Sequence, residues 1–140
     1  MSITVAQLKS KLDTHAATAG ITLFVFGYLE DVNKGASDRD MDNKYPLMLF
    51  VPDDWEITDL SKQTIPIKFY VFKYFADGSV RETLWDNCIT IVKAFKVAIN
   101  SDVSLQIKDR DIISKLIPEG AIGIDNSPCV MCDCNLEINC

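Results

Sequence analysis

One stretch, Ile65–Asn100, limits the fold more than any other part of this chain. Ile65, Ile67, Phe69 and Val71 alternate along Ile65–Phe75, a period of two in branched and aromatic residues that predicts a long strand. Asp77-Gly78 is a turn pair. Ser79 stands three residues before Glu82, the spacing of a capping box, and predicts a helix start. Leu84, Cys88, Ile91, Val92, Phe95, Ala98 and Ile99 then recur at helical spacing, so one broad face of that helix is apolar. A strand and a helix this apolar, joined by a short turn, pack on one another.

The rest of the chain supplies their neighbours. Thr4 and Gln7 form a second capping box, with Ile3 and Leu8 placed as a hydrophobic staple. Val5, Leu8, Leu12 and Ala16 continue as an apolar stripe towards Gly20, which predicts a helix over Val5–Ala19. Ile21–Leu29 reads as a strand and Glu30–Lys44 as a polar loop. Tyr45–Val51 reads as a strand opened by Pro46 and closed by Pro52. Asp53–Thr64 is a polar connection in which Trp55, Ile57 and Leu60 are spaced for a short helical turn. Val103, Leu105 and Ile107 alternate as a further strand. Asp109–Gly123 is ambiguous, with Ile112, Ile113, Leu116 and Ile117 spaced for a short helix ended by Pro118 and Gly120. Cys129–Ile138 is the last strand. The order helix, three strands, helix, strands predicts an α+β fold: a mainly antiparallel sheet of about four to five strands with both helices on one face. At 140 residues, without repeats or a dividing linker, a single domain over residues 1–140 is expected.

Side chains alternate across a strand, and here both parities are apolar. One holds Ile21, Leu23, Val25, Leu47, Leu49, Val51, Ile65, Ile67, Phe69 and Val71. The other holds Phe24, Phe26, Tyr28, Met48, Phe50, Tyr70, Phe72 and Tyr74. A sheet with one wet face alternates apolar and polar instead. Two helices on one face leave the aromatic parity to be covered either by the chain's own C-terminal part or by another subunit.

Charge and chemistry narrow the function. Fourteen basic residues against twenty acidic ones give a net charge of −6, the wrong sign for a nucleic-acid footprint or an anionic membrane surface. The polar start Met1-Ser2-Ile3-Thr4 lacks the charged and apolar regions of a secretory leader, so reduced thiols in a cytosol are expected for the five cysteines. Cys129, Cys132 and Cys134 invite zinc or redox chemistry. Cys132 and Cys134 nevertheless share a strand parity with Val130, Leu136 and Ile138, the pattern of small apolar thiols facing a core. Asp38, Asp40 and Asp42 open like a calcium loop, but Asn43 occupies the position of the turn glycine and no glutamate closes it. His15, the lone histidine, has no nucleophile near it in sequence. There is no nucleophile elbow, phosphate loop, dinucleotide fingerprint or zinc-protease motif. Asp53-Asp54 are adjacent, so in a strand they point apart. No catalytic set, cofactor or metal is expected.

The strings "DNKYPLMLFVP", "IPIKFYVFKYF", "VSLQIKD" and "CVMCDCNLEIN", in that order after an amphipathic N-terminal helix, resemble the tail-terminator-like neck and tail-completion proteins of tailed bacteriophages, as in phages of Bacteroidota. That resemblance implies a structural virion protein rather than an enzyme. It implies a homo-oligomeric head–tail connector ring that contacts portal, neck and tail proteins. DNA passes through such a ring without specific binding, and no membrane is involved. It also implies synthesis in the host bacterial cytoplasm. The expected contact residues are Tyr70, Phe72 and Tyr74 with the acidic Asp38, Asp40 and Asp42. Two rival expectations stand beside it: a small metal- or redox-active protein built on Cys129, Cys132 and Cys134, and a monomeric binding module using the aromatic face as a cleft.

Overall fold

The computed structural model describes residues 3–28, 45–52, 62–75, 78–110, 112–118 and 127–139. In chain order they form α1 (Val5–Thr18), β1 (Leu23–Phe26), β2 (Leu47–Val51), β3 (Gln63–Phe72), α2 (Arg81–Asn100), β4 (Leu105–Ile107), β5 (Ile113–Ile117) and β6 (Cys129–Ile138). The fold is α+β, with both helices on one face of a six-stranded, mostly antiparallel sheet.

Two ten-residue strands make the centre. β3 and β6 pair antiparallel along their whole length, from Gln63 opposite Ile138 to Phe72 opposite Cys129. β2 adds antiparallel to β3, and β1 adds parallel to β2. That parallel pair is a local departure from the mainly antiparallel sheet expected. It requires a crossover rather than a hairpin, and residues 27–46 are long enough to make one.

The outer edge of β6 is shared. β4 pairs with its Leu136–Ile138 end and β5 with its Cys129–Asp133 end. Asp109–Gly123 is ambiguous in sequence, with spacing that also suits a short helix, and the structure makes Ile113–Ile117 a strand. β4 satisfies only three positions of β6, and the backbone groups of Cys129–Asp133 need partners, which β5 supplies.

The two helix starts contrast. At α1 the Thr4 hydroxyl accepts from the Gln7 backbone N–H at 3.1 Å, and the Gln7 side chain accepts from the Thr4 N–H at 2.9 Å, the predicted capping box. At α2 the predicted box is not formed. The residue at the cap is Val80, with no side-chain hydrogen bond, and the helix begins one residue later than a Ser79 cap would set it. Arg81 instead lies over the rings of Phe75 and Trp85, at 5.7 and 6.0 Å.

Beneath the helices the core is continuous. Leu8, Leu12 and Ala16 of α1 and Cys88, Ile91, Val92, Phe95 and Ile99 of α2 pack on the sheet. An aromatic series crosses it: Phe26 stacks on Phe50 at 5.7 Å, Phe50 on Phe69 at 6.1 Å, and Phe69 meets Phe95 edge-on at 5.3 Å. Among the described residues no helix is long and apolar enough to cross a membrane.

Candidate functional site

Register decides what lies on the sheet face opposite α1 and α2, which among the described residues is helix-free. Leu47 pairs with Phe72 and Leu49 with Tyr70. An odd position of β2 therefore faces the same way as an even position of β3. Phe24, Phe26, Met48 and Phe50, expected with Tyr70 and Phe72, lie instead beneath the helices with Ile67, Phe69 and Val71. The helix-free face receives Leu23, Val25, Leu47, Leu49, Val51, Tyr70, Phe72 and Cys129.

This face is not uniformly apolar. Leu47, Leu49, Phe72 and Cys129 are at most 1% exposed within the single chain. A rim of half-buried residues surrounds them: Leu23, Val25, Tyr45, Val51, Tyr70 and Ile117. Towards the other end of β3 and β6 the same face carries Thr64, Pro66 and Lys68 beside Asp133, Asn135 and Glu137. That end is polar in the ordinary way. The second face is thus apolar at one end only, not along its length as the sequence pattern suggested.

The expected contact residues separate accordingly. Phe72 belongs to the buried set and offers no surface to a partner. Tyr70 stacks on it at 6.0 Å and is half-buried. Tyr74, beyond the end of β3, is half-buried 5.9 Å from the ring of Tyr45, whose hydroxyl accepts from Ser127 at 2.8 Å. Asp38, Asp40 and Asp42 lie outside the described residues, as do Trp55, Ile57 and Leu60.

The four described thiols are core groups. Cys88, Cys129, Cys132 and Cys134 are buried and free. Burial pushes Cys88, Cys129 and Cys134 up to about 12, and Cys132 to about 11, where a hydrogen bond with Ser114 offsets part of the rise. Burial thus favours the protonated thiol, the form that packs in an apolar core. Cys132 and Cys134 face the helices with Val130 and Leu136, as the alternation predicts. Among the described residues no three His, Cys, Asp or Glu side chains converge to hold a metal.

A polar cluster with no counterpart in the sequence motifs ties α1 to the turn after α2. Asp102 Oδ1 accepts from the Ser104 backbone N–H at 2.9 Å and from its hydroxyl at 2.6 Å. Its Oδ2 lies 3.0 Å from His15 Nε2 and 3.4 Å from Lys11 Nζ. Partial burial works against the charged form of Asp102. The Ser104 bonds, the His15 bond and the Lys11 charge outweigh it and hold the carboxyl well below the usual range. These residues do not form a nucleophile triad. Such a triad places histidine between hydroxyl and carboxylate, whereas here the carboxylate sits between them. Ser104 is a sequence neighbour of Asp102, but His15 stands 87 positions away and reaches it only through the fold, so no local pattern signals that contact.

Comparison of the chain with protein-family models, with curated proteins and with solved structures returns no match.

Proposed function

We propose that this chain is a structural subunit of a tailed-bacteriophage virion, one copy of a homo-oligomeric ring in the head–tail neck around the DNA channel. The observation that carries this reading is the half-buried apolar rim on the helix-free end of the sheet. Among the described residues, Leu23, Val25, Val51, Tyr70 and Ile117 lie half-buried there and neither α1 nor α2 packs over them. Aromatic and aliphatic surface of this kind, bordered by a polar zone, is the make-up of a subunit contact. A ring needs a heterologous contact, in which one face of each copy meets a different face of the next. A sheet covered by helices on one side and offering an apolar rim on the other has two such different faces.

Two further features agree with a passive role around DNA. The chain carries a net charge of −6, which repels phosphate and lets a duplex slide. The described polar clusters serve packing and helix anchoring.

Electron microscopy of the purified chain, with native mass spectrometry of the same sample, tests the reading. Closed rings with an open centre are expected, of a single stoichiometry. A monomer at every concentration, including after mixing with portal and tail proteins of the same particle, would overturn it.

A further inference from the structure

The outer edge of β5 borders a groove that the ring reading does not use. β5 pairs with β6 on one side only, so its other edge is open among the described residues. The groove, about 220 Å³, runs between this edge and α2. Its floor is apolar, made by Ile89, Val92 and Ile112, and its rim is cationic, made by Lys93, Lys96 and Arg110. Lys96 is a strut: its ammonium donates to the backbone carbonyls of Asp109 and Arg110, at 2.6 and 3.1 Å, and fixes that turn against the helix. Lys93, Arg110 and Lys115 are exposed, and among the described residues their side chains make no ion pair. In a chain with more acids than bases, three free cations around one open edge stand out.

We propose that this edge is a binding site for an extended acidic peptide segment of a partner protein, which adds to the sheet as a strand alongside β5. An open strand edge offers main-chain hydrogen bonds to a peptide, and the neighbouring groove selects its side chains. Charge complementarity fixes the chemistry of the occupant: carboxylates reach Lys93 and Arg110 on the groove side and Lys115 on the other. The groove is smaller than a site that encloses a drug-sized molecule, and suits individual side chains. Lys115 also excludes the same edge of a second copy. Antiparallel pairing of two β5 strands about their centre would set Lys115 against Lys115, and like charges directly opposite are destabilising. An acidic side chain opposite Lys115 is favourable for the same reason.

The test uses the full chain and fluorescein-labelled hexapeptides in anisotropy titrations. The probes are an alternating glutamate–valine peptide, its lysine–valine counterpart, and the acidic peptide N-methylated at alternate backbone amides. The acidic peptide is expected to bind, the lysine form and the N-methylated form to fail. Reversing both rim charges, Lys93→Glu with Arg110→Glu, is expected to weaken binding about tenfold without moving the unfolding midpoint. No binding of the acidic peptide, or equal binding of its N-methylated form, would overturn the proposal. So would equally tight binding of a single-stranded oligonucleotide of the same charge, which would mark a patch for anions in general.

Discussion

The two faces of the sheet are built from similar residues and are put to different use. Beneath the helices, Phe50, Phe69, Val71, Cys132 and Leu136 are sealed by α1 and α2 into one core. On the opposite face the sealed cluster among the described residues is Leu47, Leu49, Phe72 and Cys129, set at one end, ringed by half-buried neighbours and facing a polar zone along the same strands. The same alternation of branched and aromatic side chains therefore yields a complete core on one side and a partial one on the other. Stability resides chiefly in the first, with the small sealed cluster of the second adding to it. The second is where a partner has something left to bury.

Substitutions that separate the faces sharpen this contrast. Phe69→Ala removes the ring that links Phe50 to Phe95 and should cost about 3–5 kcal/mol in urea unfolding. A loss under about 1 kcal/mol would mean that the helix-covered face is not the main core. Phe72→Ala empties the small cluster on the other face, and a loss of about 2–4 kcal/mol is expected because Phe72 is as buried as Phe69.

Asp102→Ala should cost about 1–3 kcal/mol at pH 7, since it removes charged hydrogen bonds that anchor α1 to the turn after α2. The pH dependence has a defined sign. The folded carboxyl titrates below its unfolded value, so its stabilisation is present above about pH 4 and is lost as pH falls through that value and below it. The acid limb of the wild-type stability curve should therefore be steeper than that of the variant. A smaller effect compares the helix starts. Thr4→Ala should cost about 1 kcal/mol, while Ser79→Ala should change stability by less than about 0.5 kcal/mol, because only the first makes a cap. Equal losses at both sites would restore the capping box predicted for α2.

Thiol labelling gives a further check of the sealed regions. Iodoacetamide at pH 8, mapped by peptide mass spectrometry, should modify Cys88, Cys129, Cys132 and Cys134 only as fast as the chain unfolds. Rapid modification of Cys129 alone would show that the small cluster opens where the large one does not.

The sequence made some of this architecture legible and hid the rest for physical reasons. Helix periodicity and the Thr4–Gln7 box are local, so α1 and the body of α2 were readable. So was the alternation of Cys129–Ile138, whose span matches β6. Parity within a strand is also local, but parity between strands depends on register. The offset that sets Leu49 against Tyr70 moved Phe24, Phe26, Met48 and Phe50 to the helix side. The stretch that forms β5 is ambiguous in sequence because Ile112, Ile113, Leu116 and Ile117 also satisfy helical spacing; the need of β6 for an edge partner makes it a strand. The parallel pairing of β1 with β2 and the Asp102 cluster both join distant segments, and no short-range pattern encodes such contacts.

The central claim is that the helix-free rim supports assembly while the sealed clusters support folding. Sedimentation velocity of wild type and Tyr70→Asp, side by side with their urea unfolding curves, tests it most directly. The account predicts that the wild type forms a discrete oligomer and that Tyr70→Asp sediments as a monomer with stability within about 1 kcal/mol of wild type. An unchanged oligomer in the variant, or a variant that unfolds as readily as Phe72→Ala, would contradict it.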